Sequence, residues 1–147
     1  IHKVSFEIHN NFLFPISIEN HKMFDKFKEE KGGEMMEEGI ENIFARHNSV
    51  AEYTRQSAID LGLQLFCTDT KRASDSVTAI RIPENVDGSK LMSLMRTEEN
   101  VVLAGGQGKL SGHIFRVGHL GWVCQEDIEE VIEALKRVLP KVGFNAG

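Results

Sequence analysis

The stretch Val101–Val123 reads VVLAGGQGKLSGHIFRVGHLGWV. Val101 to Ala104 is apolar and β-branched in character, Gly105 to Gly112 is rich in glycine, and His113 to Val117 returns to an apolar run. This pattern predicts a strand, a turn and a second strand. A phosphate-binding reading of the turn fails on two grounds. A Walker loop places Ser or Thr after its Gly-Lys, and here Leu110 follows Lys109. A dinucleotide fingerprint needs a helix after its glycines, whereas HIFRVG reads as a strand, so no helix N-terminus stands ready to receive an anion. Spacing alone leaves an equally good reading in which the glycines only reverse the chain.

The flanking sequence extends the pattern. SVTAIRI, Ser76 to Ile82, alternates and is stopped by Pro83, which predicts a strand. Asp87 is a candidate N-cap for a helix carrying Leu91, Leu94 and Met95 at helical spacing. Glu34 to Leu61 holds Met36, Ile40, Ile43, Phe44, Val50, Ala51, Ala58 and Leu61 near the helical period; Gly62 ends that helix, and Leu63 to Phe66 opens a short strand. Cys67 to Asp75 is polar and loop-like. After Val123, a helix beginning at Glu126 or Asp127 bears Ile128, Val131, Ile132, Leu135 and Val138 or Leu139 as an apolar stripe that ends at Pro140. The order helix, strand, strand, helix, strand, strand, helix predicts an α+β fold, with helices on one face of a small, mostly antiparallel sheet.

Residues 1–33 read differently. Val4, Phe6 and Ile8, then Phe12, Phe14, Ile16 and Ile18, alternate around Asn10-Asn11, which predicts a hairpin whose second strand Pro15 pushes to a sheet edge. A charged linker ends at Gly32-Gly33, and the domain boundary is placed there, leaving 34–147 as the main domain. The first residue is Ile1 rather than Met, so a cut or processed chain is expected.

Composition excludes several classes of function. With 147 residues, 41% of them hydrophobic, the chain can bury one core. Its net charge of -5 is spread without a basic stripe, which argues against a nucleic-acid partner. No apolar run approaches bilayer length and the start lacks a signal-peptide core, so a cytoplasmic protein with no membrane partner is expected. Cys67 and Cys124 stand far apart and form no CxxC, which predicts reduced thiols.

Arg116 sits inside the apolar strand IFRVG. Two readings compete: it points outward to water, or it faces a cleft where a carboxylate binds its fork. His113 and His119 are six residues apart, which matches no helical metal-ligand spacing, so no metal site is expected. His119 in GHLG reads as a turn residue or as a supporting hydrogen-bonding group. Ser89-Lys90 reads as a solvated helix start rather than a nucleophile and base, and His47 as a surface or packing residue.

The run AGGQGKLSGHIFRVGHLGWV resembles the C-terminal signature of class V pyridoxal-phosphate aminotransferases of the alanine–glyoxylate and serine–pyruvate group. EEGIENIFARHNSVAEYTRQSAIDLGLQLF and SDSVTAIRIPENVDGSKL are similar to the same family's long helix and its following strand and helix. The resemblance runs from about Glu34 to about Leu139. It implies the small domain of a fold-type I enzyme, in which Arg116 binds the α-carboxylate of an amino-acid or oxo-acid substrate. It also implies that Gly105 and Gly106 let the backbone approach the substrate, with His119 in support. Pyridoxal phosphate and a homodimer are expected of the complete transferase. No lysine here matches the Schiff-base lysine, so no catalytic residue and no bound cofactor are assigned to this chain, which is expected to be an inactive fragment. The alternatives are a stand-alone binding or dimerisation module derived from that domain, and a sensor that holds an amino acid without chemistry.

Overall fold

A computed structural model describes residues 38–144. The expected hairpin and linker of residues 1–33 lie outside them. The chain divides into two compact units, 1–46 and 47–147. Within the first, the Glu38 carboxylate accepts two hydrogen bonds from Arg46, at 2.7 Å from Nε and 2.9 Å from Nη2.

Helix α1 runs Ile40–Asp60 and buries Val50, Ala51, Thr54 and Ala58, while Ile40 and Phe44 of the expected apolar face are exposed. It ends as its glycine predicts. Gly62 adopts φ 78°, its N–H donates to Ile59 O and that of Leu63 donates to Ala58 O. This pair of bonds is a Schellman cap.

Strand β1, Val77–Arg81, is followed by helix α2, Gly88–Glu98. Asp87 caps α2, its carboxylate accepting from the N–H groups of Ser89 and Lys90 at 2.9 and 3.0 Å. Strand β2 is Ala104–Gly105, β3 is Ile114–Gly118, and helix α3 is Gln125–Val138. Glu126 and Asp127 open α3 and Lys136 and Arg137 close it, which matches the helix dipole at both ends.

Two expected strands are shorter than their sequences suggest. Leu63 to Phe66 contributes a single antiparallel bridge, Leu65 to Ile80, flanked by bonds from Phe66 N to Ala79 O and from Arg81 N to Gln64 O. The Gly62 cap before it and the Asp69 turn after it leave room for no more. Val101 to Ala104 pairs only at its end. Asn100 takes a left-handed φ of 56° and Val101 N–H returns to Met95 O, so the chain is still leaving α2 when the strand would begin.

The sheet is antiparallel in the order β1-β3-β2. Directly paired residues share a face and successive residues alternate. Thr78, Ile80, Phe115 and Val117 therefore share one face, and Ala79, Arg116 and Ala104 form a row across the other. The first face carries the core. Ile80, Phe115 and Val117 join Val50 and Ala58 of α1, Leu91 and Met95 of α2, and Ile128, Leu135 and Val138 of α3. All three described helices thus pack on one face, as the sequence predicts, and the row through Arg116 lies on the side that the described helices leave uncovered.

Candidate functional site on the open sheet face

Arg116 is half-buried at the centre of β3. Its two neighbours in the row, Ala79 and Ala104, carry only a methyl each, while Ile114, two residues away on the same face of β3, is buried. Nε donates to Gly105 O at 3.0 Å. No other hydrogen bond and no ion pair of Arg116 occurs among the described residues. With Nε engaged, the guanidinium offers its far edge, the two Nη groups, to a planar anion. Arg116 therefore lies outside the core cluster, half-buried, with its Nε held by Gly105 O.

The two glycines that precede it do different things. A side-chain carbon on Gly105 would meet the Met92 side chain at 3.5 Å, an ordinary contact on the helix side. The carbonyl of Gly105 is what serves the arginine. A side-chain carbon on Gly106 would stand 1.9 Å from Leu110 O and 2.9 Å from Ile114 Cγ1. Gly106 N–H also donates to Ile114 O at 3.0 Å. Close packing of the Gln107–Leu110 turn against β3 therefore requires glycine at 106.

His119 is fully buried. Its Nδ1 lies 3.1 Å from Asp75 O and its Nε2 lies 2.9 Å from Thr78 Oγ1. A carbonyl only accepts, so Nδ1 carries the proton and Nε2 accepts from the Thr78 hydroxyl. Burial pushes the imidazole pKa below its ordinary value; the Asp75 carbonyl opposes that shift, and Arg55 and His47 reinforce it. Beside it, Gly121 N–H donates to His47 Nε2 at 3.1 Å. The two histidines thus brace the turn after β3 from both ends. This pairing spans 41 and 74 residues of sequence, which is why no local pattern points to it.

An acid-sensitive fold follows. The unfolded state takes up a proton near the ordinary histidine pKa of about 6.5, whereas folded His119 resists it. The unfolded chain then binds more protons, so stability falls as pH drops below about 6.5. We expect the melting temperature to decline between pH 7 and pH 5, and H119N to flatten that decline. An equal slope in wild type and H119N would remove His119 as the cause.

The remaining candidates are placed away from this face. Ser89 and Lys90 occupy the exposed first turn of α2, and His113 is exposed before β3. Both cysteines are free thiols. The Glu126 carboxylate, with burial and Asp127, pushes the Cys124 thiol pKa up, away from a reactive thiolate. No group of three or more His, Cys, Asp or Glu among the described residues could hold a metal ion. No helix among them is long and apolar enough to cross a membrane.

Two surface depressions of about 500 Å³ each lie along α3, one bordered by Glu99, Glu126 and Arg137, the other by Tyr53, Asp60 and Lys136. Neither includes a residue of the Arg116 row. The described lysines, Lys71, Lys90, Lys109, Lys136 and Lys141, are all exposed, and the last two pair with Glu133 and Glu98. These residues do not fit a pyridoxal phosphate, which needs a sequestered lysine and a phosphate cradle.

No family model matches the chain. The 42 kDa subunit of a soluble hydrogenase from Anabaena cylindrica is 43% identical over 118 residues, covering 78% of this chain and 30% of that protein. An L-aspartate–glyoxylate aminotransferase from Paracoccus denitrificans is 38% identical over 110 residues, covering 75% of this chain and 28% of that protein. Among solved structures, an alanine–glyoxylate aminotransferase from Nostoc sp. superposes with a TM-score of 0.68 at 32% identity, covering 71% of this chain and 28% of that one. The chain spans less than a third of the length of these relatives.

Proposed function

The chain belongs to the family of class V aminotransferases of the alanine–glyoxylate and serine–glyoxylate group, and from that premise we propose that its open sheet face holds the α-carboxylate of an amino-acid or oxo-acid substrate. The observation that carries the proposal is Arg116, which is half-buried, fixed through Nε to Gly105 O, and has both Nη groups without a partner among the described residues. A guanidinium stays charged at every working pH and meets a carboxylate in two parallel bonds. Holding the carboxylate in that plane orients the substrate Cα–H bond for proton removal, a contribution through positioning.

Pyridoxal phosphate supplies the electron sink in such enzymes. Because the described residues do not fit it, the reading places cofactor, Schiff-base lysine and proton transfer outside them, and this chain alone performs no transamination. Gly105 serves by its carbonyl, Gly106 by closing the turn, and His119 by bracing the chain after β3. Homodimeric assembly of the complete enzyme and a domain division near residue 33 belong to the same proposal.

Ligand-observed NMR with pyruvate tests it on the 147-residue chain. Two charge-assisted bonds support a dissociation constant on the order of millimolar. R116Q is expected to weaken that binding about 10-fold or more, with the circular dichroism spectrum unchanged. Binding that survives R116Q intact would reject the assignment.

A further inference from the structure

Arginines in this chain generally find carboxylates. Arg46 pairs with Glu38, Arg55 with Asp75, Arg72 with Asp69 and Arg137 with Glu99. Arg81 and Arg116 have no such pair among the described residues, and the register places both on the open face. Ala79 is opposite Arg116 and Arg81 is opposite Ile114, so the two arginines are diagonal neighbours across β1 and β3. Each is held by a group that carries no charge. Arg116 Nε is fixed by Gly105 O, and the Arg81 guanidinium lies 5.1 Å from the centroid of the Phe66 ring, a cation–π contact. Phe66 is on the far side of β1, since its N–H donates to Ala79 O, while Gly105 is on the far side of β3. The two heads are therefore anchored toward opposite margins of the face. Ala79 lies between the two anchors, and its methyl is the floor. In a chain with 22 acidic and 17 basic residues, a patch with two arginines and no acid on paired strands is a selective feature.

We propose that this face is a two-point anion site for a dicarboxylate, an amino acid or oxo-acid with an acidic side chain, in which Arg116 takes the α-carboxylate and Arg81 the distal one. The inference rests on the reading of Arg116 given above and adds the substrate class. Phe66 acts as the platform that keeps the Arg81 head from collapsing onto the sheet.

The test titrates the 147-residue chain with pyruvate and with 2-oxoglutarate in wild type, R81Q, R116Q and R96Q, the last removing one charge from α2. In wild type, 2-oxoglutarate is expected to bind about 10-fold tighter than pyruvate. R81Q should erase that advantage, R116Q should weaken both ligands, and R96Q should leave the advantage intact. Equal affinity for the two ligands in wild type, or an advantage that survives R81Q, overturns the two-point site while pyruvate binding lost in R116Q keeps the Arg116 reading. An advantage erased equally by R96Q marks a general charge effect and also overturns it. Pyruvate binding untouched by R116Q overturns both.

Discussion

Truncating Phe115 to Ala is expected to cost the fold about 3–5 kcal/mol, the usual range for a fully buried Phe. Phe115 has no exposed surface and packs in the cluster to which all three described helices contribute. It is also the residue of β3 paired with Ile80 on one side and Gly105 on the other. Removing its ring leaves a cavity between sheet and helices that the flanking strands can close only by shifting their register contacts. Against a total of about 5–15 kcal/mol for a domain of ordinary stability, this is a large fraction. Urea unfolding followed by circular dichroism measures it. F66A is the contrast: Phe66 is 38% exposed, and its loss should cost about 1 kcal/mol, mostly from the Arg81 contact. Similar costs for the two substitutions would contradict the placement of the core on the Phe115 face.

Gly106 to Ala is the second large effect, and it separates two adjacent glycines that look alike in sequence. A methyl at 106 would meet the backbone of Leu110 at 1.9 Å, a distance that no rotamer relieves because the obstacle is main chain. The turn must open, and with it the bond from Gly106 N–H to Ile114 O. We expect a loss of about 3 kcal/mol or more, at the upper end of overpacking costs. Because β2 consists only of Ala104 and Gly105, opening the turn also displaces the carbonyl that holds Arg116, so G106A should weaken pyruvate binding as well as stability. Gly105 to Ala, which meets only the flexible Met92 side chain at 3.5 Å, should cost about 1 kcal/mol or less. Comparable losses in G105A and G106A would show that the turn is not packed as described.

These contrasts also show what the sequence makes legible. Periodicity and punctuation carry the helices: the stripe of α3, the Asp87 cap and the Gly62 stop each follow from a few residues and recur in the fold. Alternation in SVTAIRI and the apolar run in HIFRV identify two strands, and their antiparallel pairing supplies the α+β sheet. Strand length is less legible, because it depends on where the chain finishes leaving the preceding element. Val101 and Val102 have strand-forming side chains, yet the left-handed Asn100 delays pairing until Ala104. Alternation likewise cannot say which face of β3 the helices cover, so Arg116 alone supports both an outward and a cleft reading. The face is assigned only once Ile80 and Phe115 are seen paired under the helices. The His119 brace is the clearest case of information absent from local sequence, since its partners Asp75 and Thr78 sit 44 and 41 residues away. The glycines at 105 and 106 read as a pair, while their steric surroundings separate them.

The most direct test of the central claim observes the Arg116 guanidinium itself. In the 147-residue chain labelled with nitrogen-15 at arginine, the Arg116 Nε resonance should already be shifted by its bond to Gly105 O. On titration with pyruvate, the Arg116 Nη signals should move with saturation and sharpen as rotation about the Cζ bond slows, because both Nη groups become engaged by one carboxylate. The signals of Arg137, which is paired with Glu99, should stay still. Saturable movement confined to the open face is the predicted result; an Arg116 side chain that ignores pyruvate while the chain remains folded would contradict the account.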